Sequence, residues 1–263
     1  MREMRRQDVW IGGRSLRDLD ARIVSVSIEE TDNQIEETFS QTPGRAGQRL
    51  LERKRIGKVI SVDFALREIY DLASRSEIID AVNGWAAGAG YIEISTRPGK
   101  RILAPCRQFA TPGTIRDYTT KIRLEFQADL SPFWEDTKPA RMTLSGSTAS
   151  GQLLMRGTYH GLVEASVSAS SGSITSLTIS VTGADGHVSS IALSGISVAS
   201  GTAIVIGHDA NGIFSINAGS TSLLNKRTAA SSDELTASPG KATVSITANV
   251  AVSAEITGRG RWL

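Results

Sequence analysis

Alternation of apolar and polar residues over thirteen positions, from Val244 to Ile256, is the feature that most restricts the fold of this chain. Every second residue of the segment is apolar, and the residues between are mostly Ser, Thr, Asn and Glu. A period of two is typical of a β-strand that buries one face. The segment therefore predicts one long strand, or two strands joined by a bend.

Turn signals around this segment predict further strands. Asp185-Gly186 and Asn211-Gly212 are dipeptides that favour tight hairpin turns, and each lies between two alternating runs. Several short strands at this spacing predict a β-sandwich of jelly-roll type for the carboxyl-terminal half of the chain.

The amino-terminal half combines strand patterns with one helix. Alternating runs predict half-buried antiparallel strands at residues 24–28, 60–66 and 122–128. Ser74 and Glu77 have the spacing of a capping box, and apolar residues then recur at helical intervals until Gly88. The pattern predicts a mainly β domain with one amphipathic helix lying on a sheet.

Charge density separates the two halves. The first 140 residues contain 22 Lys and Arg and 21 Asp and Glu, whereas the remaining 123 residues contain 7 and 6. Such a change in composition predicts two domains, which we place at residues 1–139 and 140–263.

A basic, glycine-containing segment at residues 41–58 lies between the strands predicted at residues 24–28 and 60–66. It fits neither the helical nor the strand period, so we predict an extended arm or a long hairpin that projects from the sheet. Its cations are suited to phosphate groups, but it lacks the aromatic residues on which bases stack. The pattern therefore favours a solvated or intersubunit arm over a nucleic-acid site.

Several function classes find little support in the composition. One cysteine, Cys106, and three histidines cannot form a disulfide framework or a structural zinc cluster. Neither a signal peptide nor a membrane span is predicted, so we expect a chain that is made and kept in cytosol. His187 and His208 adjoin predicted turns, and we expect both to be exposed. With no nucleophile motif and no evident carboxylate pair, we predict no enzyme activity, no catalytic residue, no cofactor and no metal.

Three stretches of the first half resemble the distal tail protein (Dit) family of long-tailed bacteriophages. They are TPGRAGQRLLERKRIGKVISVDFAL, which is similar to the family's arm and following strand, SEIIDAVNGWAAGAGYIEISTRPGKRILAPC, and the F-x-A-D-x-S-P-F-W element from Phe126 to Trp134. In the second half, Pro239-Gly240 followed by an alternating strand and a terminal Arg-x-Arg-Trp also fits. Length and domain order match the family over the whole chain.

The resemblance implies a structural virion protein at the tail tip, assembled in the host cytoplasm. Amino-terminal domains of Dit-like proteins form a hexameric ring that joins the tail tube to the tail-tip hub, and galectin-like carboxyl-terminal sandwiches point outward. The expected partners are five further copies of the chain, the tail tube protein, the hub (a tail-associated lysin or tail fibre protein) and receptor-binding proteins. DNA would pass through the ring without stable binding, and no membrane insertion is expected.

Within this family assignment the arm would form an interface. A conduit must not hold its DNA, so we expect the basic residues of the arm to face carboxylates of a neighbouring subunit or of the hub. The interface residues predicted in this way are Arg45, Arg49, Arg53, Lys54 and Arg55.

An alternative is a carbohydrate-binding adhesion module that recognises a bacterial cell-wall polysaccharide. Sugar sites commonly use aromatic platforms, and the second half offers only Tyr159, Phe214 and Trp262. Clustering of these three residues on one concave face would favour the adhesion module, whereas dispersal would favour the structural role.

Overall fold

The computed structural model of the chain describes residues 7–40, 49–67, 72–111, 122–209 and 212–263, and for residues 32–35, 49–56 and 72 it describes the backbone alone. By its internal contacts the chain divides into two compact units, Met1–Trp134 and Glu135–Leu263. The described residues are mainly in antiparallel strands with one α-helix, which confirms the predicted fold class. Among them, no helix has the length and apolar character that would be needed to cross a membrane.

The amino-terminal unit is built from short and long antiparallel strands and one helix. Its elements are β1 (Val9–Ile11), β2 (Arg14–Ser15), β3 (Ile23–Ser40), β4 (Arg49–Leu66), α1 (Leu72–Ala87), β5 (Tyr91–Ile94), β6 (Lys100–Leu103), β7 (Cys106–Gln108) and β8 (Ile122–Ala128). Strand β9 (Trp134–Asp136) includes the boundary between the units. One run of paired strands has the order β2-β1-β5-β6, and a separate sheet has the order β3-β4-β8-β7.

Apolar alternation fixes the central strands of the second sheet. Val62 of β4 lies opposite Leu124 of β8, and both are fully buried, as the sequence predicts. Strand β3 departs from its predicted pattern, because the register shifts between Ile23 and Ser25 and leaves Val24 45% exposed. A bulge of this kind turns the following side chains to the other face of the sheet.

Helix α1 covers the predicted segment but already starts at Leu72, so Ser74 lies within the helix and the prediction that it caps the helix is wrong. Its buried face repeats at helical spacing and comprises Ile78, Ile79, Val82 and Ala86. The neighbouring Trp85 meets Phe126 of β8 edge to face, with ring centroids 6.5 Å apart. These contacts join the helix to the sheet that contains β8.

The carboxyl-terminal unit is antiparallel β-structure around one apolar core. Its strands are β10 (Ala140–Met155), β11 (Tyr159–Ala169), β12 (Ser173–Thr182), β13 (Val188–Ala199), β14 (Ile204–His208), β15 (Phe214–Ala218), β16 (Thr221–Ser222), β17 (Thr236–Ala237) and β18 (Gly240–Trp262), and a 3₁₀ turn lies at Leu224–Lys226. The predicted hairpin pairs β12–β13 and β14–β15 both form. Residues 210 and 211, in the second turn, lie outside the described residues.

One long strand, β18, pairs with different strands along its length. The first part of β18, residues 243–248, pairs with β12, and the later part, residues 252–261, pairs with β11. Strand β10 pairs with both parts of β18, and its register shifts between Gly146 and Thr148. Gly146 has a φ of 130°, which L side chains rarely adopt, so glycine suits the position at which the register shifts.

Candidate functional site

The paired strands β3 and β4 extend well past the rest of their sheet. Strand β8 pairs with β4 only over Lys58–Phe64, whereas β3 and β4 remain paired from Gln34 and Gly57 to Ser40 and Arg49. We call residues 34–40 and 49–57 the ribbon. Within the described residues the ribbon has only two strands, which agrees with the predicted long hairpin.

The five predicted interface residues belong to this region. Arg45 lies outside the described residues. Arg49, Arg53, Lys54 and Arg55 lie in β4, and only their backbone is described. Whether they form an interface stays a prediction.

Strand pairing brings acidic residues opposite two of these cations, which the sequence reasoning missed. Arg53 is in register with Glu37, and Lys54 with Glu36. The signal was present in the sequence, because an acidic run precedes the basic run across a hairpin. Phe39, on the same strand as these acids, is 48% exposed. An apolar ring so placed is suited to packing against another surface.

A partly buried ionic cluster lies where the ribbon joins the sheet. The Nε of Arg97 donates to both carboxylate oxygens of Glu30, at 3.0 and 2.8 Å, and the Nζ of Lys58 lies 3.7 Å from Oε2 of the same carboxylate. The Lys58 side chain is only 4% exposed. Both cations also approach the fully buried ring of Trp134, at 5.8 Å for Lys58 and 5.3 Å for Arg97. Paired charge and cation–π contacts together stabilise the base of the ribbon.

The carboxyl-terminal unit contains a pocket of about 350 Å³ on the outward face of β10, β18, β11 and β14. Thr257 of β18 lies in register with Arg141 on one side and with Glu164 on the other. Arg141 Nη1 donates to Oε1 of Glu255 at 2.9 Å, and Arg259 Nε lies 3.7 Å from Oε2 of Glu164. Two pairs of opposite charges therefore line part of the pocket wall, beside apolar residues such as Ala165 and Val205.

His208 stands at the edge of this pocket between two carboxylates. Its Nδ1 lies 3.8 Å from Oε1 of Glu164, and its Nε2 lies 3.3 Å from Oε1 of Glu234. Neither contact has the geometry of a well-formed hydrogen bond, so both are ion pairs. Burial opposes the charged imidazole, but Glu164 and Glu234 outweigh it and raise the pKa of His208 to about 9.

The prediction that His208 is an exposed turn residue is wrong, because its side chain is only 8% exposed. His208 is the last residue of β14 and lies on the same face of the strand as the buried Ile204 and Ile206. This alternation in the sequence would have predicted that His208 is buried. His187 is exposed in the turn between β12 and β13, as predicted.

Tyr159, Phe214 and Trp262 each contact a different neighbour. Phe214 meets the His208 ring edge to face at 5.5 Å, and Tyr159 meets His160 at 6.0 Å. Trp262 lies over Gly260, where an added Cβ atom would come within 2.9 Å of the indole. Of the described residues that line the pocket, none is one of these three aromatics.

Comparison with known proteins identifies the fold. No family model matches the chain, and no curated protein matches it. Among solved structures, the Dit protein of phage SPP1, described as a paradigm of the hub adsorption apparatus in phages that infect Gram-positive bacteria, has a TM-score of 0.64 at 16% identity over 98% of this chain and 99% of that one. Chains of the phage P2 baseplate in its activated conformation, with Ca and with Sr, each have a TM-score of 0.52 at 9% identity, and cover 97% and 96% of this chain and 98% and 97% of their own. The chain therefore has a Dit-like fold.

Proposed function

We propose that this chain, whose fold is Dit-like, is a structural protein of the tail tip of a long-tailed bacteriophage. In this proposal six copies form a ring that joins the tail tube to the tail-tip hub, and the protein acts by shape and contact without catalysis. The observation that carries the proposal is the match in fold with a phage hub protein over 98% of this chain. The galectin-like character of the carboxyl-terminal unit and assembly in the host cytoplasm belong to the same proposal.

The structure of the ribbon is an argument that copies of the chain associate with each other. An isolated two-stranded ribbon is marginally stable in water, so a ribbon of this length gains stability when it lies on another surface. The ribbon and the surface that receives it are different parts of the same chain, which makes the contact heterologous. Heterologous contacts close into rings when the rotation between copies divides a full turn, and this is the geometry that the hexamer needs.

Charge on the ribbon supports protein partners over DNA. In the proposed ring, Arg45, Arg49, Arg53, Lys54 and Arg55 face carboxylates of the neighbouring copy or of the hub. The acids opposite Arg53 and Lys54 in the register offset part of the positive charge. A charge-balanced arm suits a complementary protein interface, whereas a strongly basic arm would retard passing DNA.

Light scattering after size exclusion tests the proposed ring. Six copies of 28.0 kDa give a mass of about 168 kDa, which we expect at moderate salt, and negative-stain images should show a six-fold ring. High salt should lower the mass if charged contacts hold the ring. A strict monomer at every protein concentration, both alone and mixed with the tail tube protein of the same virion, would refute the hexamer.

The second candidate function is a carbohydrate-binding module at the tail tip that recognises a wall polysaccharide. The pocket on the outward face of the carboxyl-terminal unit favours it, because carboxylates, guanidinium groups and hydroxyls converge there. An aromatic platform, on which the sequence-based version of this function depended, does not line the described pocket. Any sugar binding at this face would therefore work through polar groups.

A further inference from the structure

We infer that the pocket formed by strands β10, β18, β11 and β14 binds a neutral saccharide through its paired charges and hydroxyl groups. The inference rests on the second candidate function and names its site and its ligand class. It does not depend on the hexameric ring.

Concentration of charge is the first argument. Residues 141–263 contain seven Lys or Arg and six Asp or Glu. Four of these thirteen charged residues line one pocket: Arg141, Glu164, Glu255 and Arg259. A fifth, Glu234, pairs with His208 at its edge. In a domain with so few charges, this convergence marks the pocket as a polar recognition surface.

Pairing of these charges selects the class of ligand. Each guanidinium already faces a carboxylate, Arg141 with Glu255 and Arg259 with Glu164. An anionic ligand would compete with these carboxylates, and a cationic ligand would compete with the guanidinium groups. A hydroxyl group both donates and accepts, so a neutral ligand with adjacent hydroxyls uses the remaining N–H groups and lone pairs while the ion pairs stay intact.

Smaller side chains complete a surface suited to a sugar ring. The Thr257 position lies between Arg141 and Glu164 in the strand register, and Ser166 lies between Glu255 and Val205. Val205 is 48% exposed and offers an apolar contact for the C–H groups of a sugar. The volume of about 350 Å³ falls within the roughly 300–1,000 Å³ of small-molecule sites.

Gly207 and His208 fix the position of the Glu164 side chain in the wall of the pocket. A Cβ atom at position 207 would lie 3.2–3.3 Å from the side chain of Glu164, so glycine leaves room for the carboxylate. The backbone N–H of His208 donates to Oε1 of Glu164 at 3.3 Å. Glu164 is therefore oriented before a ligand arrives, which lowers the entropic cost of binding.

Saturation-transfer NMR with the full chain tests the inference. The probes are methyl glycosides of glucose, galactose, rhamnose and N-acetylglucosamine, with glucuronic acid and glucosamine as charged counterparts. We expect at least one neutral glycoside to bind, with a dissociation constant of about 1 mM or below. Glu255→Gln and Thr257→Val should each weaken binding about tenfold, because the first removes the charge of a carboxylate acceptor and the second removes a hydroxyl group. Asp233→Asn, which changes the same charge at an exposed position outside the pocket, should leave binding unchanged.

Three results would overturn the inference in different ways. No binding of any probe up to roughly 10 mM would remove both the site and the second candidate function, while the mass of the ring would still test the first. Binding that survives both pocket substitutions would place the saccharide elsewhere and keep the function. A preference for glucuronic acid or glucosamine would refute the assignment of a neutral ligand.

Discussion

Replacing His208 with glutamine tests whether the buried ion network stabilises the carboxyl-terminal unit. At 1.36 kcal/mol for each tenfold change in proton affinity, a pKa raised from 6.5 to about 9 corresponds to about 3 kcal/mol. The carboxylates of Glu164 and Glu234 remain 22% and 39% exposed, so solvent screens part of this energy. We therefore expect His208→Gln to lower the free energy of unfolding by about 1–2 kcal/mol at pH 6.

The pH dependence follows from the direction of the shift. Because the pKa of His208 is higher in the folded than in the unfolded chain, folding favours the protonated ring. The contribution is complete below pH 6.5 and disappears as the pH rises through about 9. Wild type and His208→Gln should differ by about 1–2 kcal/mol at pH 6 and should converge near pH 10.

Fluorine NMR of protein labelled with 5-fluorotryptophan measures this difference. Trp262 is the one tryptophan of residues 135–263, so its signal reports on the carboxyl-terminal unit during urea unfolding. His187→Gln is the matched control, because it replaces an exposed histidine of the same unit and should change stability by less than about 0.5 kcal/mol. A difference between wild type and His208→Gln that is the same at pH 6 and pH 10 would refute the reasoning.

Three further predictions concern the ribbon and the pocket. Glu30→Gln removes the carboxylate that two cations share and should destabilise the amino-terminal unit by about 2–3 kcal/mol in urea unfolding; a loss below about 0.5 kcal/mol would contradict a structural role for the cluster. Gly207→Ala should displace the Glu164 carboxylate and lower the NMR titration midpoint of His208 from about 9; an unchanged midpoint would show that the side chain is accommodated. The double charge reversal of Arg53 and Arg55 to Glu should reduce the mass measured by light scattering, whereas Lys241→Glu should not, and an intact ring in the double variant would refute the proposed role of the arm.

Periodicity in the sequence predicted the secondary structure correctly where the burial of one face determines it. Residues 60–66 of β4, strand β8 and residues 244–256 of β18 follow from alternating apolar residues, and helix α1 follows from helical spacing. In these segments the local pattern and the final packing agree, because one face is buried along residues 60–64 of β4 and along β8.

Local patterns in the sequence could not predict which distant segments pair with each other. Residues 29–37 of β3 are rich in Glu, Asp and Asn, which disfavour strands, yet they extend the strand. Their strand conformation follows from pairing with β4. The ionic groups of the pocket come from strands that are far apart in the chain, such as Arg141 in β10 and Glu255 in β18, so their convergence depends on topology.

The long separation in sequence between β10 and β18 determines how long β10 waits for its partner strand during synthesis. Met155 ends β10 and Gly240 begins β18, so at 5–20 residues per second roughly 4–17 seconds pass before the ribosome begins the strand that pairs with β10. Half of the sixteen residues of β10 are Ser, Thr, Gly or Gln. A strand that waits without its partner is exposed to aggregation, and glycine residues reduce this hazard because they lower the β-propensity of the free segment. Gly146 and Gly151, which interrupt β10, are expected to act in this way until the partner strand has been made.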